Sequence, residues 1–329
     1  MREVSSVYLG LSLTTVMLKS NNHNDSLVFD FWSGGSTLHG WDFLKQCIDR
    51  LPIGVNDPNT INVLGGIPVE LRLEDELLGT EGDYEFKVTC GGRVYVQRDW
   101  IAGLTGRKWY VSGGWCSLFR RLVSQSGIAA QAFFGDLRSV DFNRKTIYIL
   151  PHGLVRYEEI VNSLPLEYVI NKIVYPGTHH RFPAKYVTMY ITVAIVRGDY
   201  EPHIWFLGKR RFVSSAIVTL PLKLLYPQLD LGKEDLTLAY AFVPQLMGKL
   251  NPDARQKVMA DFKRLGLDMR NSLFIRSHFE RYGYLGQREG VDDVINMLAD
   301  YGVECVGRLG TWRELGINEI LAEYSSLLK

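Results

Sequence analysis

The sequence has no excess of one charge, no closely spaced cysteines and no long apolar run. Lys and Arg total 37 against 36 Asp and Glu, for a net charge of +1. No overall positive charge is therefore present to attract nucleic acid or an acidic membrane surface. The composition is 46% hydrophobic and 22% charged, which is ordinary for globular proteins and excludes a disordered or fibrous chain. The 329 residues are enough for about two domains.

The cysteines and the N-terminal apolar run bear on cellular location. Cys47, Cys90, Cys116 and Cys305 form no C-x-x-C pair of the kind that binds zinc. We expect all four to be reduced, as in a cytoplasmic protein. The apolar run at residues 7–18 is shorter than the roughly 20 residues that cross a bilayer, and no small-residue cleavage site follows it. The sequence thus predicts a cytoplasmic protein without a transmembrane segment.

Glycine is in excess, with 31 residues in the chain, and its first informative position is Gly10. Residues 4–9 have the pattern of a strand, residues 11–19 can form a helix, and residues 27–31 form a second strand pattern that contains Asp30. In dinucleotide-binding units, glycines after the first strand let the backbone approach a pyrophosphate, and an acid about 20 residues later binds ribose. Asp30 has this spacing from Gly10. The glycine pattern is incomplete, because Ser12 and Thr15 replace its second and third glycines.

Strands dominate the centre of the chain, and helices recur towards its end. Short apolar segments between residues 63 and 96, separated by glycines, predict strands and hairpins without a helix. The alternating segment 184–196 predicts a strand, with 203–207 as its hairpin neighbour and 237–243 in the same antiparallel sheet. Helical patterns occur at 117–125, 252–265, 290–301 and 316–328. The predicted fold class is α/β at both ends of the chain and α+β overall.

Four segments resemble the FAD-dependent superfamily of UDP-galactopyranose mutase, protoporphyrinogen oxidase and the amine oxidases. They are the N-terminal unit with Asp30 and the pair Gly34-Gly35, residues 110–114 before a helix, residues 157–166, and residues 303–318. The last segment is the most specific. A strand that ends in Gly-Arg places the Arg308 guanidinium where it can pair with a pyrophosphate, and the next helix begins with free N–H groups.

The resemblance implies a Rossmann-like FAD-binding domain built from discontinuous segments, and a smaller antiparallel β-rich substrate domain. The FAD-binding domain would comprise residues 1–62, 105–166 and 272–329, and the substrate domain residues 63–104 and 167–271. The implied cofactor-binding residues are Gly10, Ser12, Gly34, Gly35 and Arg308 for the pyrophosphate, Asp30 for the ribose, and Gly310, Trp312, Gly316, Ile317 and Asn318 for the flavin side.

Candidates for substrate contact come from the central strands and from an aromatic turn. They are Tyr190, Arg211, Tyr240, Tyr282 and Tyr284, although tyrosines on half-buried strands more often pack than react. No Ser–His–acid pattern, metal-ligand cluster or acid pair stands out, so we expect no metal and identify no catalytic residue. The pair His179-His180 lies in a polar loop, where a structural role is the simpler interpretation.

Three functions remain open from the sequence. The first is an FAD-binding enzyme with a small-molecule substrate, either an oxidoreductase or a mutase-like enzyme that uses reduced flavin on a nucleotide sugar. The second is a non-enzymatic binding or scaffold protein that keeps the fold after its cofactor site has decayed, which Ser12 and Thr15 favour. The third is an NAD-dependent enzyme, which would leave the C-terminal Gly-Arg segment without a purpose.

Overall fold

The computed structural model describes residues 2–20, 25–30, 38–128, 132–174, 182–229, 232, 234–247 and 253–324. The chain divides into two compact units, which are described separately. The first comprises residues 1–36, 119–184 and 288–329, and the second comprises residues 37–118 and 185–287.

The strands and helices of the described residues are named in chain order. The strands are β1 (Arg2–Leu9), β2 (Ser26–Asp30), β3 (Gly40–Phe43), β4 (Gln46–Asp49), β5 (Pro68–Leu77), β6 (Gly106–Val111), β7 (Ala132–Phe134), β8 (Asp136–Asp141), β9 (Thr146–Leu150), β10 (Gly153–Asn162), β11 (Tyr186–Arg197), β12 (His203–Phe206), β13 (Ala216–Pro221), β14 (Leu236–Leu246), β15 (Phe274–Leu285) and β16 (Val303–Cys305). The helices are α1 (Leu13–Ser20), α2 (Pro58–Val63), α3 (Glu81–Val88), α4 (Trp115–Gln125), α5 (Leu166–Ile170), α6 (Leu222–Leu225), α7 (Ala254–Arg264), α8 (Val291–Asp300), α9 (Gly307–Gly310) and α10 (Ile317–Tyr324).

The first unit is built on a sheet whose centre is parallel. Its order is β7-β2-β1-β10-β9-β8, and the pairs β7–β2, β2–β1 and β1–β10 are parallel. The far side of β10 pairs antiparallel with β9 near its start and parallel with β16 near its end. Val7 and Tyr8 of β1, which point to opposite faces of the sheet, are both buried, as expected where a central parallel strand is covered on both faces. The carboxyl ends of β1, β10 and β16 therefore lie at one edge of this sheet.

The second unit is built on a sheet of order β15-β11-β14-β13-β12-β5-β6. All its pairs are antiparallel except β12–β5. Alternate residues of β11 enter two different cores: Ile191 and Val193 belong to one, and Tyr190 and Ala194 to the other. Both faces of the sheet are thus covered by apolar side chains. A parallel-centred unit and an antiparallel β-rich unit confirm the predicted fold class.

Two local predictions are wrong. The strand β11 lies between β14 and β15, whereas β12 lies between β13 and β5, so these two strands are not hairpin neighbours. The partners of β11 are distant in sequence, which local patterns do not reveal. Residues 63–96 do contain a helix, α3, because Thr80 caps it by accepting a hydrogen bond from the Asp83 N–H at 3.1 Å.

The β-rich unit is the larger of the two, not the smaller as predicted. Residues 37–62, 105–118 and 272–287 belong to it, since they carry β3, β4, β6 and β15. The chain changes unit after residues 36, 118, 184 and 287, whereas the sequence analysis placed these changes after residues 62, 104, 166 and 271.

The prediction of four reduced cysteines is wrong for two of them. Cys47 and Cys116 form a disulfide that ties β4 to the first turn of α4, while Cys90 and Cys305 are free thiols. Disulfides are uncommon in the cytosol, so the cysteines no longer support a cytoplasmic location, which stays a prediction. Among the residues described, no helix has the length and apolar character needed to cross a membrane.

Candidate cofactor-binding site

Three segments of the first unit meet at the carboxyl edge of its parallel sheet. The N–H groups of Ser163 and Leu164, just after β10, donate to the Leu9 carbonyl at the end of β1, at 2.7 and 3.1 Å. The Val306 N–H, just after β16, donates to the Asn162 carbonyl at 2.8 Å. The turn after β1, the end of β10 and the segment that begins at Val306 are therefore held together by main-chain hydrogen bonds.

Glycines make this close approach possible. Gly10 has φ +100°, and a Cβ there would collide with the Ser163 hydroxyl. A Cβ at Gly310 would collide with the Asn162 carbonyl, and one at Gly307, which has φ +66°, would lie 2.8 Å from the Thr14 hydroxyl. Only glycine adopts such a φ and leaves such a space without strain. The predicted residues Gly10 and Gly310 are thus required by packing at this edge.

Hydroxyl groups replace the missing glycines of the turn. The Ser12 hydroxyl accepts from the Thr15 N–H at 3.2 Å, so Ser12 caps helix α1. The Thr15 hydroxyl donates to the Gly10 carbonyl at 2.6 Å. Ser163 joins both side chains, since its Oγ lies 3.0 Å from Ser12 Oγ and 3.1 Å from Thr15 Oγ1. The turn is closed by a cluster of three hydroxyls, Ser12, Thr15 and Ser163.

Asp30 ends β2 and contacts the same turn. Its carboxylate accepts the Leu11 N–H at 2.9 Å, and the residue is 6% exposed. One carboxylate oxygen is thus engaged by the main chain directly after Gly10, which fixes the turn against the second strand. The glycine pair Gly34-Gly35, also predicted to contact the pyrophosphate, lies outside the described residues.

Arg308 forms an ion pair within its own segment. Its Nε lies 2.5 Å from Glu314 Oε1, and the two side chains are only 14% and 6% exposed. The pair is therefore largely shielded from water, where opposite charges attract more strongly than at the surface. Arg308 lies in the short helix α9, where the sequence analysis expected a turn, and its predicted role in binding pyrophosphate stays a prediction.

The remaining flavin-side candidates surround the start of helix α10. The Gly316 N–H donates to Glu319 Oε2 at 2.9 Å, so the Glu319 carboxylate lies at the positive end of this helix. Ile317 is buried and Asn318 is half-buried in the first turn. The Trp312 ring is fully buried and packs edge-on against Phe182, with ring centroids 4.6 Å apart.

The predicted substrate contacts, all in the second unit, are separated by the fold. Tyr240 and Tyr284 lie in one core and Tyr190 in the other. Tyr284 donates to Asp99 at 2.8 Å, and Tyr282 packs on Tyr186 with centroids 4.7 Å apart. Arg211 is exposed. These side chains therefore do not form one cluster, and their roles stay predictions.

A half-buried carboxylate in the second unit was missed by the sequence analysis. Asp49 accepts the N–H groups of Trp115 and Cys116 at 2.8 and 2.7 Å and so caps α4. Burial raises the pKa of Asp49 to about 6, although these two N–H groups and Tyr226 favour its charged form. Gly114 leaves the space for this contact, since a Cβ there would lie 2.9 Å from Asp49 Oδ1.

At the candidate cofactor site, Ser163, Glu314 and Glu319 were not predicted from the sequence. Glu319 had a local signal, because an acid three residues after a helix cap is a known capping pattern. Ser163 and Glu314 had none, since their partners are set by the tertiary fold. Within the described ranges, no group of three or more His, Cys, Asp or Glu side chains could hold a metal ion.

The comparisons with known proteins rest on structure alone. No protein-family model and no curated protein matches this sequence. A crystal structure of reduced UDP-galactopyranose mutase matches with TM-score 0.78 and 11% identity, covering 99% of this chain and 93% of that chain. A putative protoporphyrinogen oxidase from Exiguobacterium sp. 255-15 matches with TM-score 0.67 and 12% identity, covering 99% and 98%. Cyclohexylamine oxidase from Brevibacterium oxydans IH-35A matches with TM-score 0.61 and 9% identity, covering 99% and 98%. The chain therefore has the fold of the mutase, protoporphyrinogen oxidase and amine oxidase structures that its sequence motifs resemble.

Proposed function

We propose that this chain is a flavoprotein that binds FAD at the carboxyl edge of the parallel sheet in its first unit. The observation that carries the proposal is the convergence there of residues 10–15, 162–164 and 306–310. In open α/β sheets, ligands bind outside the carboxyl ends of the strands. The sequence motifs and the fold of the comparison structures support the same site.

The residues at this edge fit a dinucleotide. Gly10 presents main chain without a side chain, and α1 begins directly after Ser12, so the positive end of its dipole faces this edge. Arg308 supplies a guanidinium beside the same segments. Asp30 stiffens the turn through the Leu11 N–H. When bound, FAD would supply an isoalloxazine ring that accepts and returns electrons.

The reaction class that we propose is oxidation of a small organic substrate. The alternative at the same site is a mutase-like reaction, which would use reduced flavin on a nucleotide sugar without net oxidation of the substrate. The chain's own part would be to hold the cofactor and to exclude water from the reacting atoms. We propose no nucleic-acid partner, since the net charge is +1.

A second candidate is a binding or scaffold protein that keeps the fold without the cofactor. The observation that favours it is that polar groups of the site are engaged internally. The Arg308 guanidinium pairs with Glu314, and the Gly316 N–H donates to Glu319. In a working dinucleotide site, such groups would face the ligand.

Thermal unfolding separates the two candidates. Excess FAD should raise the Tm of the flavoprotein, because a ligand at 100 times its Kd stabilises the folded state by about 2.7 kcal/mol. NAD should not. The Arg308→Ala variant should show a smaller FAD shift, whereas Arg313→Ala, which removes an exposed ion pair with Glu323, should behave as wild type. No shift with FAD would favour the scaffold protein.

A further inference from the structure

The ion pair of Arg308 and Glu314 affects how a phosphate group could bind to Arg308. The guanidinium assigned to the pyrophosphate already holds a carboxylate, 2.5 Å from its Nε. Together the two side chains carry no net charge. A phosphate that approached the Arg308 guanidinium would meet the negative charge of Glu314 there. The Arg308 and Glu314 side chains are only 14% and 6% exposed. Water and salt screen such a repulsion poorly.

The next ion pair along the chain shows the contrast. Arg313 Nη1 also lies 2.5 Å from its partner, Glu323 Oε1, but these side chains are 45% and 32% exposed. Exposed pairs contribute little to stability and are screened by salt. Residues 308–323 therefore contain two Arg–Glu pairs with the same N–O distance. Only the shielded pair includes Arg308, the residue proposed to bind the cofactor.

A second carboxylate lies in the same segment. Glu319 accepts the Gly316 N–H at the start of α10, one of the positions that the family resemblance assigns to the flavin side. Glu314 and Glu319 thus place two carboxylates of the chain itself where electron-rich parts of a cofactor would bind. The Arg308–Glu314 pair is better evidence for competition with a cofactor, since the Glu319 contact is also an ordinary helix cap.

We propose that Glu314 competes with the cofactor's pyrophosphate for Arg308 and thereby sets the affinity of this chain for FAD. The inference rests on the proposed function, because it needs a chain that can bind FAD. In the proposed binding step, phosphate oxygens take the place of the Glu314 carboxylate at Arg308 Nε, and the negative charge of the displaced carboxylate beside the phosphate lowers the affinity. Removing the charge of Glu314 should therefore tighten binding.

The test is a titration of FAD, followed by flavin fluorescence, against the full chain and the variants Glu314→Gln, Glu323→Gln and Arg308→Ala. Glu314→Gln should lower the Kd for FAD at least tenfold, and the matched control Glu323→Gln should change it less than twofold. ADP, which carries the pyrophosphate without the flavin and is titrated by calorimetry, should show the same gain. Should Glu314→Gln fail to fold, Glu314→Met removes the same charge from a side chain of similar length and should give the same gain.

The outcomes distinguish the two proposals. Binding of FAD by wild type with no tightening in Glu314→Gln or Glu314→Met overturns the competition and leaves the proposed function standing. Binding by Glu314→Gln alone supports the competition, since it reveals a site that the carboxylate blocks. A complete lack of FAD binding in every variant overturns the proposed function itself.

Discussion

Among single residues, Gly10 is constrained both by its backbone conformation and by its neighbours. Its φ of +100° is unfavourable for other residues, and a Cβ would collide with Ser163. We expect Gly10→Ala to lower the free energy of unfolding by about 3 kcal/mol, from backbone strain and crowding together. Urea denaturation measures the change.

A second glycine allows the cost of backbone strain to be measured apart from the cost of crowding. Gly302 has φ +75°, but no atom lies within 4 Å of a Cβ placed there. Gly302→Ala should therefore cost only the backbone strain, about 1 kcal/mol. Equal losses in the two variants would mean that crowding against Ser163 is not what requires glycine after β1.

His278 makes stability depend on pH. Its two ring nitrogens are buried, with no hydrogen-bond partner among the described residues, and Trp41 packs on the ring at 5.1 Å. Burial, with a smaller effect of Arg50, lowers the pKa of His278 to about 3. The unfolded chain takes up this proton near pH 6.5 and the folded chain does not. Stability should therefore fall as the pH drops from about 6.5 towards 3.

The comparison of wild type with His278→Leu isolates this effect. Asp49 acts in the opposite direction, because its pKa is raised to about 6, so its contribution is lost as the pH rises from about 4 to 6. The Asp49 contribution is the same in wild type and in His278→Leu, so it cancels when the two are compared. Denaturation at pH 4.5 and 7 should show a smaller loss on acidification in the variant, and an equal loss would refute the assignment.

At the scale of elements, the disulfide joins β4 to α4 across a sequence separation of 69 residues. Closing a loop of this length restricts the unfolded chain and stabilises the fold by about 4 kcal/mol in the chain-entropy model. We expect a reductant to lower the Tm, and the double variant Cys47→Ser with Cys116→Ser to lose this sensitivity. Thiol titration of the unreduced, unfolded chain should give two thiols, Cys90 and Cys305, and four would contradict the disulfide.

Lys87 of α3 anchors a neighbouring loop. Its ammonium donates to the carbonyls of Leu207, Lys209, Phe212 and Ser214 at 2.5 to 3.2 Å. Burial lowers the pKa of Lys87 to about 8. Because one cation holds four carbonyls, its removal should loosen residues 207–214.

Trypsin provides the measurement for this loop, since Lys209, Arg210 and Arg211 are exposed. We expect Lys87→Met to be cleaved there at least several-fold faster than wild type. Lys223→Met, which removes an exposed ion pair with Asp235, serves as the control. Equal cleavage of both variants would show that Lys87 does not hold the loop.

The sequence predicted individual strands and helices better than it predicted which strands pair and which side chains meet. Gly10, Asp30 and Arg308 follow from local motifs, and α8 and α10 follow from apolar periodicity. The hydroxyl of Ser163 and the carboxylate of Glu314 could not be predicted, because each acts on a residue that the fold, not the local pattern, brings near. The same holds for β11, whose neighbours β14 and β15 lie far along the chain.

At the scale of the whole molecule, the chain passes between its two units four times. The motifs indicated that the first unit is discontinuous but not how far the β-rich unit extends. Residues 37–62 carry no motif that indicates a unit, yet β3 and β4 place them in the second. Cys47 and Cys116 lie in one continuous segment of the second unit, residues 37–118, but 69 positions apart, so no local pattern indicates that they pair.

The visible spectrum of the purified chain shows most directly whether the first unit holds FAD. After incubation with excess FAD and desalting, we expect flavin absorbance corresponding to about one FAD per chain, and less flavin in Arg308→Ala. A chain that leaves the column without flavin absorbance, and whose Glu314→Gln variant does the same, would contradict the proposal that this chain binds FAD.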